Sequence, residues 1–296
     1  MRVLVVGQGP VARVLATSAA ESHRVGFAVR ERTAASLIVG TSRLRTAGPA
    51  RRAERRSVDL TTAGEGISGW DVVLSTASPA SPGVAELLRQ PSAGIVAAVT
   101  QVPSEVELLR ELAGDRPWGL VVPEFFAADA DPTWWWTPAR VRFTIAGPAA
   151  APLRSLFGRP QWSRTAPLAA PLMSAAAMMP AIAGLHAASF DVAAARRRSP
   201  SLAIAATQAR NAVAAGFGGP SLRPIRPHAV RAALTVLPRL APFDVQRYLR
   251  GHFGGHGAQT VRMLRDWVDL GRRHGLPTGE LEELLERVRP ATEVTG

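Results

Sequence analysis

Short, almost uncharged apolar runs open this chain, separated by segments whose apolar residues recur every three to four positions. Residues 3–6, 25–29, 72–75, 95–99 and 120–122 are dominated by Val, Leu, Ile and Ala, the pattern of parallel strands buried on both faces. Residues 11–22, 82–89 and 104–113 read as helices between them. Such alternation predicts an α/β fold, a Rossmann-type doubly wound sheet. Residues 37–60 are less regular and admit extra short strands. Residues 140–146 read as a last strand, after a loop that holds Trp134, Trp135 and Trp136.

The pattern then changes. Residues 150–170 are rich in Pro and Ala and read as an interdomain linker. Helical spacing follows at 170–189, with an interruption near Pro180, and at 201–215, ending at Gly216. A proline-rich turn at 220–227 leads to helices at 228–238, 242–252, 259–274 and 278–288. The division expected is an NAD(P)-binding domain over 1–165 and an all-helical domain for substrate and dimerisation over 166–296. The stretch 165–190 carries no charged side chain and is long enough for a membrane span. Pro167, Pro171, Pro180 and its alanine content favour a buried helix instead.

Composition sharpens the picture. All 35 basic residues are arginine; lysine is absent, and the net charge is +12. The arginines are spread along the chain. In the densest cluster, Arg51-Arg52-Ala53-Glu54-Arg55-Arg56, no aromatic residue interleaves them, which argues against nucleic acid as a partner. With no cysteine, thiolate chemistry and disulfides are excluded. The first apolar run is too short for a signal-peptide core, so a cytoplasmic location is expected.

Gly7-Gln8-Gly9-Pro10-Val11-Ala12 follows the first strand and opens the first helix. This is the G-x-G-x-x-A form of the dinucleotide fingerprint: a tight turn at Gly7, close phosphate approach at Gly9, close packing at Ala12. Pro10 suits the first helical position, where an N–H has no partner to lose. The second strand ends in Arg30, with Arg32 nearby. Arginine there pairs with a 2′-phosphate, so NADP(H) is favoured over NAD, although Glu31 keeps the latter open. Ser75, Thr76, Ser78 and Gln101, at the ends of later strands, complete the expected cofactor contacts.

In this order of parts the chain resembles the ketopantoate reductase family. The likeness lies in the glycine fingerprint, the arginine after the second strand, Asp71-Val72-Val73-Leu74 before a cofactor-facing loop, and the helical second half. Tyr248, His252-Phe253, Gln259-Thr260 and Leu276-Pro277-Thr278 extend it. The resemblance implies hydride transfer from NADPH to a 2-oxo acid, with a lysine acid and asparagines on the first long helix of the second domain. Matched to 171–180, the lysine position is Pro171 and the asparagine positions are Ala175 and Met179. A second family lysine falls near Ser78, and the family's Gln-Asn-Gly turn becomes Gln101-Val102-Pro103. A keto-acid site needs a cation and a proton donor, and these positions supply neither. The expected ligand is therefore apolar and bulky, lined by Pro171, Ala175, Met178, Met179, Phe125 and Phe126.

Candidate acids and bases are His186, Tyr248, His252 and Glu124. His252 and His256 stand four apart, but Gly254-Gly255 between them argues against a helical metal pair; no metal is expected. The tryptophan run reads as a hydrophobic plug, as an aromatic wall of the substrate cleft, or as a dimer contact. Three functions fit: an NADP(H)-dependent oxidoreductase of specialised metabolism, a cyclase or isomerase on the same scaffold, and a cofactor-sensing binding protein. An alanine-rich helical surface also suits pairing as a homodimer, and no membrane partner is expected.

Overall fold

The computed structural model describes residues 1–29, 34–62, 69–91, 94–138, 140–254 and 257–293, with 237, 253–254 and 290–293 described by backbone alone. It divides into two compact units, Met1–Pro167 and Leu168–Gly296.

The first unit is a curled mixed sheet with helices interleaved. Its strands are β1 (Arg2–Val6), β2 (Arg24–Val29), β3 (Ser36–Arg43), β4 (Glu54–Thr62), β5 (Val72–Ser75), β6 (Ile95–Ala98), β7 (Trp118–Pro123), β8 (Phe126–Ala128), β9 (Thr133–Trp136), β10 (Phe143–Ala146) and β11 (Ser163–Ala166). They are ordered β11-β10-β7-β6-β5-β1-β2-β4-β3-β9-β8. The centre is parallel: Val3 lies opposite Val25 on one side and Val72 on the other. Helices α1 (Pro10–Ala19), α2 (Pro82–Arg89), α3 (Pro103–Ala113) and α4 (Ala150–Arg154) connect the strands. Ala12, Leu15, Ala16 and Ala19 of α1 pack with Val3, Val5, Phe27 and Leu74 in one core. Small residues on α1 let helix and strand approach closely.

Three sequence expectations change here. Residues 37–60 hold two long antiparallel strands, β3 and β4, paired with Leu37 opposite Val58 and Val39 opposite Arg56; Val39, Val58 and Leu60, spaced by the period-two pleat, join the main core. The tryptophans are not in a loop. They form β9, which pairs parallel with β3 and antiparallel with β8. Residues 150–166 are not a bare linker: α4, a 3-10 turn at Pro160–Trp162 and β11 lie there.

The second unit is helical: α5 (Ala169–Ala187), α6 (Val192–Arg197), α7 (Ser199–Phe217), α8 (Pro227–Leu240), α9 (Val245–Gly254), α10 (Gly257–Arg273) and α11 (Gly279–Glu293). Helix α6 was not foreseen; Asp191 caps it, its carboxylate accepting from the backbone of Ala193 and Ala194 at 2.8 and 3.1 Å. Pro180 lies inside α5, which runs on through it. Helix α5 is long and apolar enough to cross a membrane, but 67% of its most apolar window is buried within the molecule. Its Gly184 meets Leu202 of α7 so closely that a Cβ there would stand 2.6 Å from a leucine methyl.

Candidate active site

Parallel strands β1, β5, β6 and β7 end on one edge of the sheet, where open α/β folds bind ligands. At its centre is the turn between β1 and α1. Gly7 has φ +108°, and a Cβ there would collide with Thr76 Oγ1. Only glycine fits that backbone without strain. Thr76 fastens the turn: its N–H and its hydroxyl both donate to Val6 O, at 2.8 and 3.1 Å.

Gly9 differs. Its backbone is extended (φ −65°, ψ 175°), any residue could adopt it, and a Cβ would meet nothing within 4 Å. The fold itself does not require glycine there. Gln8 and Gly9 are exposed, Pro10 and Val11 half-buried, Ala12 buried. Pro10 starts α1, no side chain caps it, and no acidic residue stands in its first turn. The first amides of a helix have no acceptor within it and carry the positive end of its dipole. The strand-turn-helix segment therefore offers an open, positively polarised cradle that fits a pyrophosphate.

The neighbouring strand ends are tied together. Ser75 Oγ, buried, donates to Ala77 O at 2.8 Å. Ser78 Oγ donates to Glu105 Oε1, and Thr100 Oγ1 donates to Glu105 Oε2, both at 2.6 Å. Glu105, in the first turn of α3, is 2% exposed. Sequence reasoning missed Glu105 and Thr100; a glutamate in the first turn of a helix reads as ordinary dipole complementarity. Gln101 is half-buried beside Thr100. Arg30 and Arg32 lie outside the described residues.

Glu124 follows β7 on the same edge, but its carboxylate is engaged. Thr144 donates to Oε1 at 2.6 Å, and Arg164 lies 3.3 Å from the same oxygen. Phe125 packs edge-on against Trp135 and Phe143, and Phe126 stacks on Trp136. Trp135 also belongs to a ladder of alternating guanidinium and indole groups. Arg43 lies 5.2 Å from its ring and Arg142 4.6 Å; Arg142 is 3.3 Å from the ring of Trp162, with Arg159 4.8 Å beyond. Burial brings Arg142 down to about 10, so it stays charged at neutral pH.

In the helical unit, Pro171, Ala175 and Met179 are buried, and Met178 is 52% exposed. His186 is buried, its Nδ1 has no hydrogen-bond partner, and burial lowers its pKa. Tyr248 and His252 stand one turn apart on α9, half-buried, with rings stacked at 5.4 Å and 8°. His256 lies outside the described residues. Among the described residues no cluster of three or more His, Asp or Glu could hold a metal.

No protein-family model and no curated protein sequence matches the chain. Solved structures do. A PanE/ApbA family ketopantoate reductase from Ralstonia eutropha JMP134 superposes with TM-score 0.69 at 16% identity, covering 100% of this chain and 99% of that one. The 2-dehydropantoate 2-reductase from Methylococcus capsulatus gives 0.65 at 15%, over 100% and 98%. Octopine dehydrogenase in complex with NADH and agmatine gives 0.67 at 14%, over 99% and 90%. The chain thus has the fold that ketopantoate reductases and octopine dehydrogenase share, a scaffold on which reductases and dehydrogenases are built.

Proposed function

We propose that the protein is an NADP(H)-dependent oxidoreductase acting on an apolar, bulky substrate. The observation that carries this reading is Gly9, a glycine with no structural reason to be one, at the open N-terminus of α1. Gly7, Gly9 and the amides of Val11 and Ala12 would hold the pyrophosphate; Arg30 and Arg32, next in sequence after β2, would pair with a 2′-phosphate. When bound, the nicotinamide supplies hydride. Tyr248 and His252, their rings stacked on α9, are retained as the candidate proton donors. Glu124 is held by Thr144 and Arg164, and His186 is buried and neutral. Buried Pro171, Ala175 and Met179 stand where the resemblance places a lysine acid and two asparagines, which supports an apolar substrate, as in specialised metabolism, over a small keto acid; a cytoplasmic location is proposed with it. The ketopantoate reductase of Staphylococcus aureus, of the same fold, is dimeric, and a homodimer is proposed here.

Fluorescence titration tests the cofactor. NADPH is expected to bind at least about tenfold tighter than NADH, a difference of about 1.4 kcal/mol. Equal affinities would remove the role of Arg30 and Arg32; no binding of either would remove the reading. The missing lysine also suits a second function, a cyclase or isomerase on this scaffold. It would convert substrate with no change in NADPH absorbance, whereas the oxidoreductase consumes NADPH as substrate disappears.

A further inference from the structure

We infer that Glu105 is a positioning residue for the nicotinamide half of the dinucleotide, acting through Ser78 and Thr100. This rests on the dinucleotide reading above. A carboxylate almost wholly removed from water is unfavourable unless its oxygens are well paired. Here each oxygen takes a hydroxyl proton at 2.6 Å, one from the loop after β5 and one from the loop after β6. Those hydroxyls in turn accept from the backbone: Ala80 N–H reaches Ser78 Oγ, and Val102 N–H reaches Thr100 Oγ1, both at 3.2 Å. One buried carboxylate thus fixes the backbone of two adjacent loops. A third connection, Thr76 to Val6 O, joins the first of these loops to the glycine turn.

The side of the site follows from strand order. Strand β2 lies on one side of β1, with β5 and then β6 on the other. A dinucleotide whose pyrophosphate sits at α1 and whose adenosine ribose lies toward the end of β2 must extend its other half across the ends of β5 and β6. The two loops held by Glu105 are the ones it crosses. A leucine or alanine at position 105 would keep α3 apolar and free of a buried charge. The glutamate is explained by what it orients.

The test is binding by the full-length chain, with NADPH and with the adenosine fragments ADP and 2′,5′-ADP. Glu105→Gln, Ser78→Ala and Thr100→Val are each expected to weaken NADPH about tenfold. Fragment affinity stays within about twofold, because the fragments do not reach these loops. The triple variant loses no more than Glu105→Gln alone, since the three groups act as one unit. Far-UV circular dichroism and Tm verify folding; if Glu105→Gln does not fold, Ser78→Ala and Thr100→Val decide alone. Unchanged NADPH affinity in folded variants overturns the inference, as does equal weakening of dinucleotide and fragments. An unaltered chain that binds neither NADPH nor any fragment overturns the dinucleotide reading itself, a distinct result.

Discussion

His186 shows how much one side chain's surroundings decide. From its place beyond Pro180, sequence reasoning offered it as an acid. The structure buries it against Phe190, rings 5.6 Å apart, with Nδ1 unpartnered. Burial depresses its pKa in the folded state, so the unfolded chain binds that proton more readily. The stability linked to this group is therefore full above its unfolded pKa, about 6.5, and is lost as pH falls below it. Urea denaturation at about pH 7.5 and about pH 5.5 measures that slope. The unaltered chain is expected to lose more stability between the two than His186→Phe. Equal losses would show that His186 takes up its proton in the folded state without penalty.

Among the elements, β8 and β9 and the segment 150–166 were the least legible, for the same reason. A four-residue strand made of Thr and three Trp has no room to display a period. Residues 150–166 look like linker because alanine and proline mark no face, and α4 and β11 exist there through packing that sequence spacing does not encode. Long-range contacts supply what local pattern lacks: Leu153, Leu156 and Phe157 join the main core, and Phe157 stacks on Phe143 at 4.0 Å. The arginine–tryptophan ladder fastens these elements to one another, drawing on β3, β9, the residue before β10, and the turn before β11. Its centre, Arg142, depends on a flat, weakly hydrated cation between two rings, which an ammonium cannot imitate. Arg142→Lys is expected to destabilise the protein by about 1–2 kcal/mol, lowering Tm by several degrees. An unchanged Tm would mean that the stack contributes nothing beyond contact.

At the scale of the whole molecule, the order α/β then α was legible because buried strands and amphipathic helices differ in period, and β1, β2, β5, β6 and β7 fall where apolar runs predicted them. The glycine turn between β1 and α1 was equally legible, since glycines, proline and alanine carry its geometry in the local chain. The carboxylate behind it was not, because Ser78, Thr100 and Glu105 meet only when the strands align. Gly9 joins what was readable to what must be measured. Nothing in the fold requires glycine there, so a side chain should leave the protein intact and obstruct only the pyrophosphate. Calorimetric titration of NADPH into full-length Gly9→Val, beside the unaltered chain, measures this directly. The account predicts an unchanged Tm and an affinity weaker by at least about tenfold, or about 1.4 kcal/mol. Equal affinity in the two chains would contradict it.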